Sequence, residues 1–296
     1  MKAALLPDRG VVKVAGDDAR KFLNLLITSD ISKVDPAHAV FAALLTPQGK
    51  IIADFIAVEA EAADGGGLFL DCPRALAPTL VQRLNFYKLR AKVIVEDLSE
   101  VLGVLAFWGG AATGEYGLCY ADPRLPELGS RCMLPPHRVE EAALETGAEL
   151  VDARLYEAHR IELAVPRGGL DFNYGDAFPH ETDMDQLGGI DFAKGCFVGQ
   201  EVVSRMEHRG TARTRILPVA FDNFAPDAGT PVSAAQKHVG TFGSSAQGRG
   251  LAMLRLDRVA AAIASGEQIS AGGIELRVQK PAWARFGFPE DGKTTQ

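Results

Sequence analysis

Residues 194–201 read Lys-Gly-Cys-Phe-Val-Gly-Gln-Glu, and this octet constrains the fold more than any other stretch of the chain. Its two glycines, Gly195 and Gly199, let the backbone turn sharply or approach another group with no side chain in the way. Around them stand a thiol (Cys196), a cation (Lys194), an amide (Gln200) and a carboxylate (Glu201). A fold that brings the Lys194 ammonium to Cys196 lowers the thiol's pKa and makes it a better nucleophile or metal ligand. The alternative is an inert, packed thiol. The flanking glycines favour exposure, so Cys196 is read as a reactive residue.

Composition narrows the setting. A chain of 296 residues holds one large or two ordinary domains. Hydrophobic residues make up 47% and charged residues 23%, which leaves ample material for a core. No apolar run approaches the roughly 18–20 residues of a membrane span. The opening Met1-Lys2-Ala3-Ala4-Leu5-Leu6-Pro7-Asp8 breaks too early for a secretory signal, so a cytoplasmic location is expected. Cys72, Cys119, Cys132 and Cys196 are widely spaced without a Cys-x-x-Cys, which argues against a zinc knuckle. In a chain of this length without a secretory segment, a disulfide framework is not expected either. Cys72, Cys119 and Cys132 are read as small buried or surface residues.

Charge is unevenly spread. The chain carries −7, yet residues 194–215 hold Lys194, Arg205, Arg209, Arg213 and Arg215 against Glu201 and Glu207, a net +3 that leaves −10 for the rest. A basic segment on an acidic protein is a place for an anionic ligand or partner to dock. The simpler reading is a solvated strand–loop surface. General nucleic-acid binding does not fit the acidic total, while a local RNA contact at residues 194–215 stays open.

The pattern of elements predicts an α+β class. Residues 40–46 and 50–58 read as strands of a hairpin around Pro47-Gln48-Gly49. Residues 19–27, 74–86, 138–147 and 152–163 have helical spacing, and short strands are expected at 11–14, 68–71, 93–95, 103–107 and 117–120. Residues 168–193 form a long irregular segment of the kind that is usually functional. Beyond Arg215 come short strands at 216–221, 231–233, 238–242, 251–255 and 274–279, interrupted by a helix at 257–264. This reads as a small C-terminal β-barrel, with a domain boundary that separates residues 1–212 from 213–296.

The octet, continued by Arg205, His208, Arg209 and Gly210, resembles the signature of the YgfZ group of folate-binding proteins, relatives of the glycine-cleavage T-protein. The resemblance extends in order along most of the chain: Phe22-Leu23, Thr28-Ser29-Asp30, Pro47-Gln48-Gly49-Lys50, Tyr87-Lys88-Leu89-Arg90, Arg160-Ile161-Glu162, Gly250-Leu251-Ala252 and Leu254-Arg255. It implies a T-protein-like fold of two α+β lobes and a small barrel. It also implies tetrahydrofolate, or a one-carbon derivative, in a central cleft. Support of iron–sulfur cluster assembly or repair in client enzymes, tRNA-modifying ones included, is implied with it.

On that resemblance Glu162 takes the place of the glutamate that orients the pterin. A single carboxylate accepts two neighbouring N–H groups of such a ring, and Arg160 at i−2 does not face Glu162 along a helix. Arg205 is a candidate for the carboxylate tail of folate. Tyr174 or Phe197 offers an aromatic wall, and Lys194, Gly195, Gln200 and Glu201 complete the expected binding set. Ala53-Asp54 stands where the T-protein has two acids, so Asp54 is the remaining catalytic acid beside Cys196 and aminomethyl transfer is disfavoured. His180, Glu181, Asp183 and Asp185 lack a recognised metal spacing, and no metal is expected. Neither a Gly-x-Ser-x-Gly elbow, a P-loop nor a dinucleotide fingerprint is present. Two rivals stay open: a folate-dependent aminomethyltransferase or demethylase, and a non-enzymatic scaffold for protein or RNA.

Overall fold

The computed structural model describes residues 1–62, 65–110, 116–210 and 212–288. The chain forms two compact units, one of residues 1–156 with 187–200, the other of residues 157–186 with 201–296.

In the first unit β1 (Lys2–Leu6) and β2 (Arg9–Ala15) are followed by α1 (Ala19–Asn24). Then come β3 (Val40–Leu45), β4 (Ile51–Glu59), β5 (Leu68–Pro73), α2 (Ala77–Tyr87) and β6 (Ile94–Asp97). β7 (Gly103–Trp108), β8 (Leu118–Ala121), β9 (Ser130–Leu134), α3 (Val139–Glu145) and β10 (Glu149–Leu150) complete it. Two five-stranded sheets result, ordered β3-β4-β5-β2-β6 and β10-β1-β7-β9-β8. The first is antiparallel throughout. Its core joins the inward residues of the sheet, such as Val12, Leu44, Phe55 and Leu70, to Leu23 of α1 and Leu80 and Leu84 of α2. The second has its own core around Leu105, Phe107, Tyr116 and Leu134.

The expected hairpin is present, with Ala43 opposite Asp54 and Gly49 at φ +82° in its turn. The helix expected over residues 74–86 begins as a 3-10 turn, Arg74–Leu76, before α2. Pro78 sits in the first turn of α2, where its missing N–H is one the helix would not use. The first strand, β1, was not expected; its Ala-Ala-Leu-Leu run is too short to show a period, and pairing with β7 along its whole length decides it.

The second unit begins within α4 (Ala153–Glu162), and α5 (Gln200–Arg209) follows a stretch without helix or strand from residue 163 to 199. Then come β11 (Thr214–Ala220), β12 (Pro231–Ala234), β13 (Lys237–Ala246), β14 (Arg249–Arg255), α6 (Leu256–Ser265), β15 (Ile269–Ala271), β16 (Ile274–Glu275) and β17 (Arg277–Val278). These seven strands run β16-β15-β12-β13-β14-β11-β17, and the two end strands are separated in sequence by Leu276 alone, giving a nearly closed barrel. Leu217, Val219, Phe242, Leu254 and Val259 of α6 fill it.

Three expectations change. The barrel strands begin at Thr214, close to the expected boundary, but residues 157–186 belong to the same compact unit. The reason is polar: Arg160 Nη2 donates to Ser244 Oγ at 2.8 Å, Asp171 accepts from Ser244 N at 2.8 Å, and Trp283 Nε1 donates to the Leu163 carbonyl at 2.8 Å. Residues 200–209, for which charge suggested an anion dock with a strand–loop surface as the simpler alternative, are the helix α5. Finally, Cys119 and Cys132 form a disulfide, against the expectation of four free thiols. They stand directly opposite each other on β8 and β9, a pairing that a sequence separation of 13 does not announce. Among the described residues no helix is long and apolar enough to cross a membrane.

Candidate functional site

The octet is held in the first unit at both ends, and its middle is left open. Lys194 is buried, and its ammonium donates to the carbonyls of Asn24 (2.8 Å), Ile27 (2.7 Å) and Ser29 (2.8 Å). An ammonium has three donors, so all are used. α1 stops at Asn24, short of the expected residue 27, and the chain beyond it turns these carbonyls toward Lys194. Burial lowers the Lys194 pKa to about 8, with Asp30 and Asp191 opposing the shift. The Phe197 ring centroid lies 5.4 Å from Nζ, and Phe197 is itself buried.

The Thr28-Ser29-Asp30 segment is the other half of this anchor. Thr28 Oγ1 donates to the Gly189 carbonyl at 2.6 Å and accepts from Ala43 N at 2.8 Å. The Thr28 carbonyl accepts from Asp191 N at 2.9 Å. Lys33 Nζ reaches Asp191 Oδ2 at 2.5 Å, and Ser29 Oγ donates to the Phe41 carbonyl at 2.5 Å.

At the far end Val198 packs on the core of the first sheet. Gly199, at φ +84°, lies so close to the β3–β4 turn that a Cβ would sit 2.7 Å from the Thr46 carbonyl oxygen. Only glycine meets both conditions. Gly195 is different: nothing lies within 4 Å of where its Cβ would be, so the space above it is open. Gly195 and Cys196 are thus exposed between the anchored Lys194 and Phe197, and Cys196 is a free thiol that makes no hydrogen bond among the described residues.

This corrects the role read for Lys194. Its donors are spent on carbonyls, so it positions the loop and offers none to Cys196 or to a ligand. Asp54 is buried on β4 and does not hydrogen-bond to Cys196, so the two expected catalytic residues do not form a pair. Cys72 is buried, and burial pushes its thiol up to about 12, which leaves it inert.

In the second unit the Arg160-Ile161-Glu162 element divides its labour. Arg160 is buried and donates to Glu157, to Asp171 Oδ2 at 2.9 Å, to the Val165 carbonyl at 2.9 Å and to Ser244. It is architectural. Glu162, at the end of α4, is exposed and has no ion-pair or hydrogen-bond partner among the described residues. Tyr174 is half-buried, edge-on to Phe172 with ring centroids 5.3 Å apart. A Cβ on Gly168 would strike its ring at 2.1 Å, so that glycine makes room for it.

The basic segment mostly dissolves on folding. Arg205 Nη2 donates to Glu201 Oε1 at 2.5 Å, an exposed pair one turn apart on α5. Gln200 opens α5 half-buried. Arg215 is buried and donates to both oxygens of Asp185, to Asp183 and to the His180 carbonyl. With Lys194 buried too, only Arg209 and Arg213 remain exposed without a side-chain partner among the described residues. The anion dock expected at residues 194–215 is therefore largely internal pairing.

His180, Asp185 and Glu207 bring one ligand atom each within 4.8 Å of one another, and His180 Nε2 lies 3.1 Å from Glu207 Oε2. Arg215 occupies both Asp185 oxygens, which makes this an ion-pair network. A second network, which the sequence reading missed, joins the sheets of the first unit. Asp71 on β5 accepts from Arg9 Nε (2.6 Å), Arg131 Nη1 (2.6 Å) and Tyr120 OH (2.8 Å). Separations of about sixty positions leave no local signal for it.

Comparison with known proteins agrees with this architecture. The CAF17 C-terminal β-barrel domain family matches residues 213–286. The solved glycine-cleavage aminomethyltransferase T from Bartonella henselae superposes with a TM-score of 0.71 over 96% of this chain and 86% of its own, at 15% identity, which shows the fold alone. The iron–sulfur cluster assembly factor IBA57 homolog, mitochondrial, of Mycosarcoma maydis is 36% identical over 74% of this chain, which spans 57% of that relative's length. Human iron–sulfur cluster assembly factor IBA57, mitochondrial, is 31% identical over 86% of this chain and 77% of its own. Two expectations are corrected by these names. The relatives are IBA57 proteins, close kin of the YgfZ group rather than YgfZ itself, and they are named mitochondrial, which overturns the cytoplasmic location. The chain belongs to the IBA57 family of iron–sulfur cluster assembly factors.

Proposed function

We propose that this protein supports iron–sulfur cluster assembly in client proteins by presenting the Cys196 thiol on an anchored loop. The supporting observation is the exposed, free thiol between two anchored residues, Lys194 and Phe197, with open space over Gly195. A cluster normally takes four protein ligands, so one thiol makes a shared or transient contact and the partner supplies the remainder. The relatives' names support the assembly role. The test is complementation of cells lacking the corresponding relative. Cys196→Ser, with unchanged fold and abundance, is expected to fail to restore client iron–sulfur enzyme activity; full restoration would sink the role of the Cys196 sulfur.

Tetrahydrofolate is the proposed ligand. Glu162 fits the pterin, because its carboxylate is exposed and has no protein partner among the described residues. Tyr174, half-buried beside Phe172, is the aromatic candidate for the pterin's wall. Arg205 fits the anionic tail if it leaves Glu201, and exposed pairs one turn apart are weak enough to exchange. Lys194 does not fit, because all three donors are used. Folate would supply a one-carbon or redox-active ring; the chain's own residues bind and orient it. Anaerobic calorimetric titration of tetrahydrofolate into wild type, Glu162→Ala and Cys196→Ala tests this. Binding lost in Glu162→Ala and kept in Cys196→Ala is expected, and no binding to folded wild type would remove folate from the reading.

A further inference from the structure

The Tyr87-Lys88-Leu89-Arg90 element plays no part in the loop of Cys196 or in the proposed folate contacts. It closes α2, whose buried stripe is Ala77, Leu80 and Leu84, with Val81 and Tyr87 partly packed on the same core. The opposite stripe carries Arg83 and Phe86, three positions apart and so neighbours on one face. Phe86 is 72% exposed, its ring touching only the edge of Tyr87 among the described aromatic contacts.

Leu89 is the sharpest anomaly. It is 89% exposed, and its φ is +43°. A left-handed residue commonly ends a helix, but glycine or asparagine usually fills the position. A leucine there carries steric strain and leaves a large apolar side chain in water, so chain stability alone does not select it. Strain of this kind persists where something other than folding uses it.

Cations frame these two apolar side chains. Arg83, Lys88 and Arg90 have no ion-pair partner among the described residues, on a chain of net charge −7. α2 also lies against β6, an edge strand that exposes Ile94 at 59%. The contrast with residues 194–215 is plain: there most cations are spent internally, here they are not.

We propose that the C-terminal end of α2, with Leu89 and Arg90, is a docking surface for a partner protein that offers an acidic segment with an apolar anchor. An exposed aromatic ring and arginine on one helix face, Phe86 and Arg83, match the composition of interface centres, and Leu89 and Arg90 follow directly at the helix end. An anionic membrane is the weaker occupant, because lipid-binding clusters use about 4–8 basic residues and this surface has fewer. The inference is independent of folate and of Cys196.

The test uses the full chain against a displayed library of random peptides, followed by anisotropy on the synthesised consensus. The expected consensus places Leu or Phe among Asp and Glu. Phe86→Ser with Leu89→Asn, and separately Arg83→Glu with Arg90→Glu, are each expected to weaken it at least tenfold. Leu89→Asn alone is expected to leave the melting temperature unchanged or higher, as relief of strain requires. The proposal is overturned if no acidic, apolar consensus emerges, if the consensus binds both double variants as it binds wild type, or if Leu89→Asn lowers the melting temperature. Phosphatidylserine-containing vesicles form the counter-arm; partition lost in the same variants without a peptide consensus assigns the surface to lipid and overturns the protein partner.

Discussion

In the first unit one buried carboxylate, Asp71, serves two guanidiniums, Arg9 and Arg131; in the second, one guanidinium, Arg215, serves two carboxylates, Asp183 and Asp185. Both carboxylates, Asp71 and Asp183, are fully buried. Burial pushes both pKa values up, yet the outcomes have opposite signs. Two arginines outweigh burial at Asp71 and hold it below the usual carboxylate range. At Asp183 burial, joined by the charge of Asp185, outweighs Arg215 and holds it well above that range. Lys194 is a third case, a buried cation met by carbonyl dipoles, with its pKa lowered to about 8. Burial is the largest single influence on each of these groups, and the number of opposite charges around the group decides whether that influence is overcome.

The largest effect that could break this comparison is Asp71→Ala, which takes from the largely buried Arg9 its carboxylate and leaves Arg131 with Asp122 alone. A loss of about 3–5 kcal/mol is expected in urea unfolding, because an uncompensated buried charge is left behind. Asp183→Asn removes the surplus acid of the other network and is expected to cost less than about 1 kcal/mol, as relief of the like charge offsets a lost ion pair. Equal losses in the two variants would refute the stoichiometric account.

Lys194→Met tests the carbonyl-bound case. It leaves three carbonyls without their donor and is expected to cost about 3 kcal/mol, at the scale of buried polar groups left unpaired. Because these bonds hold the loop, faster alkylation of Cys196 with changed selectivity should accompany the loss.

Titration sharpens the signs. Asp122, buried and paired with Arg124 and Arg131, has its pKa lowered from 3.8 to about 2. Burial opposes this shift and the two arginines prevail. Its contribution is therefore present above pH 3.8 and lost as pH falls toward 2, amounting to about 2 kcal/mol. Asp183 runs the other way, its contribution being present at low pH and lost as pH rises from 3.8 through its raised folded-state pKa. Unfolding free energy measured against pH should lose part of its acid limb in Asp122→Asn and part of its decline toward neutrality in Asp183→Asn. The smallest effect is Arg205→Ala at the exposed pair with Glu201, expected within about 0.5 kcal/mol by thermal melting.

The hairpin at Gly49, the helices α2 and α6 and most barrel strands were legible because their apolar periods are local. β1 and α5 were not: the first is a short apolar run, and the second sits in a segment where charge masked its period. Within the site, the need for glycine at 199 and the accessibility of Cys196 could be read from the octet. The role of Lys194 could not, because its three acceptors lie about 170 positions away. Distance likewise hid the Asp71 network, whereas the Cys119–Cys132 disulfide depends on the register of β8 against β9.

What the sequence by itself determined is many of the elements, the barrel at the C-terminal end, and the wider kinship to which the chain's motifs point. These follow from local periodicity and from residue types fixed in order along the chain. What only the tertiary structure decided is which charges are spent and which are free: Lys194, Arg205 and Arg215 turned inward or paired, while Glu162, Cys196 and the cations beside Leu89 stayed open. A charge's partner lies wherever folding places one, and burial in a low-dielectric interior, not position in the chain, sets the energy of that choice.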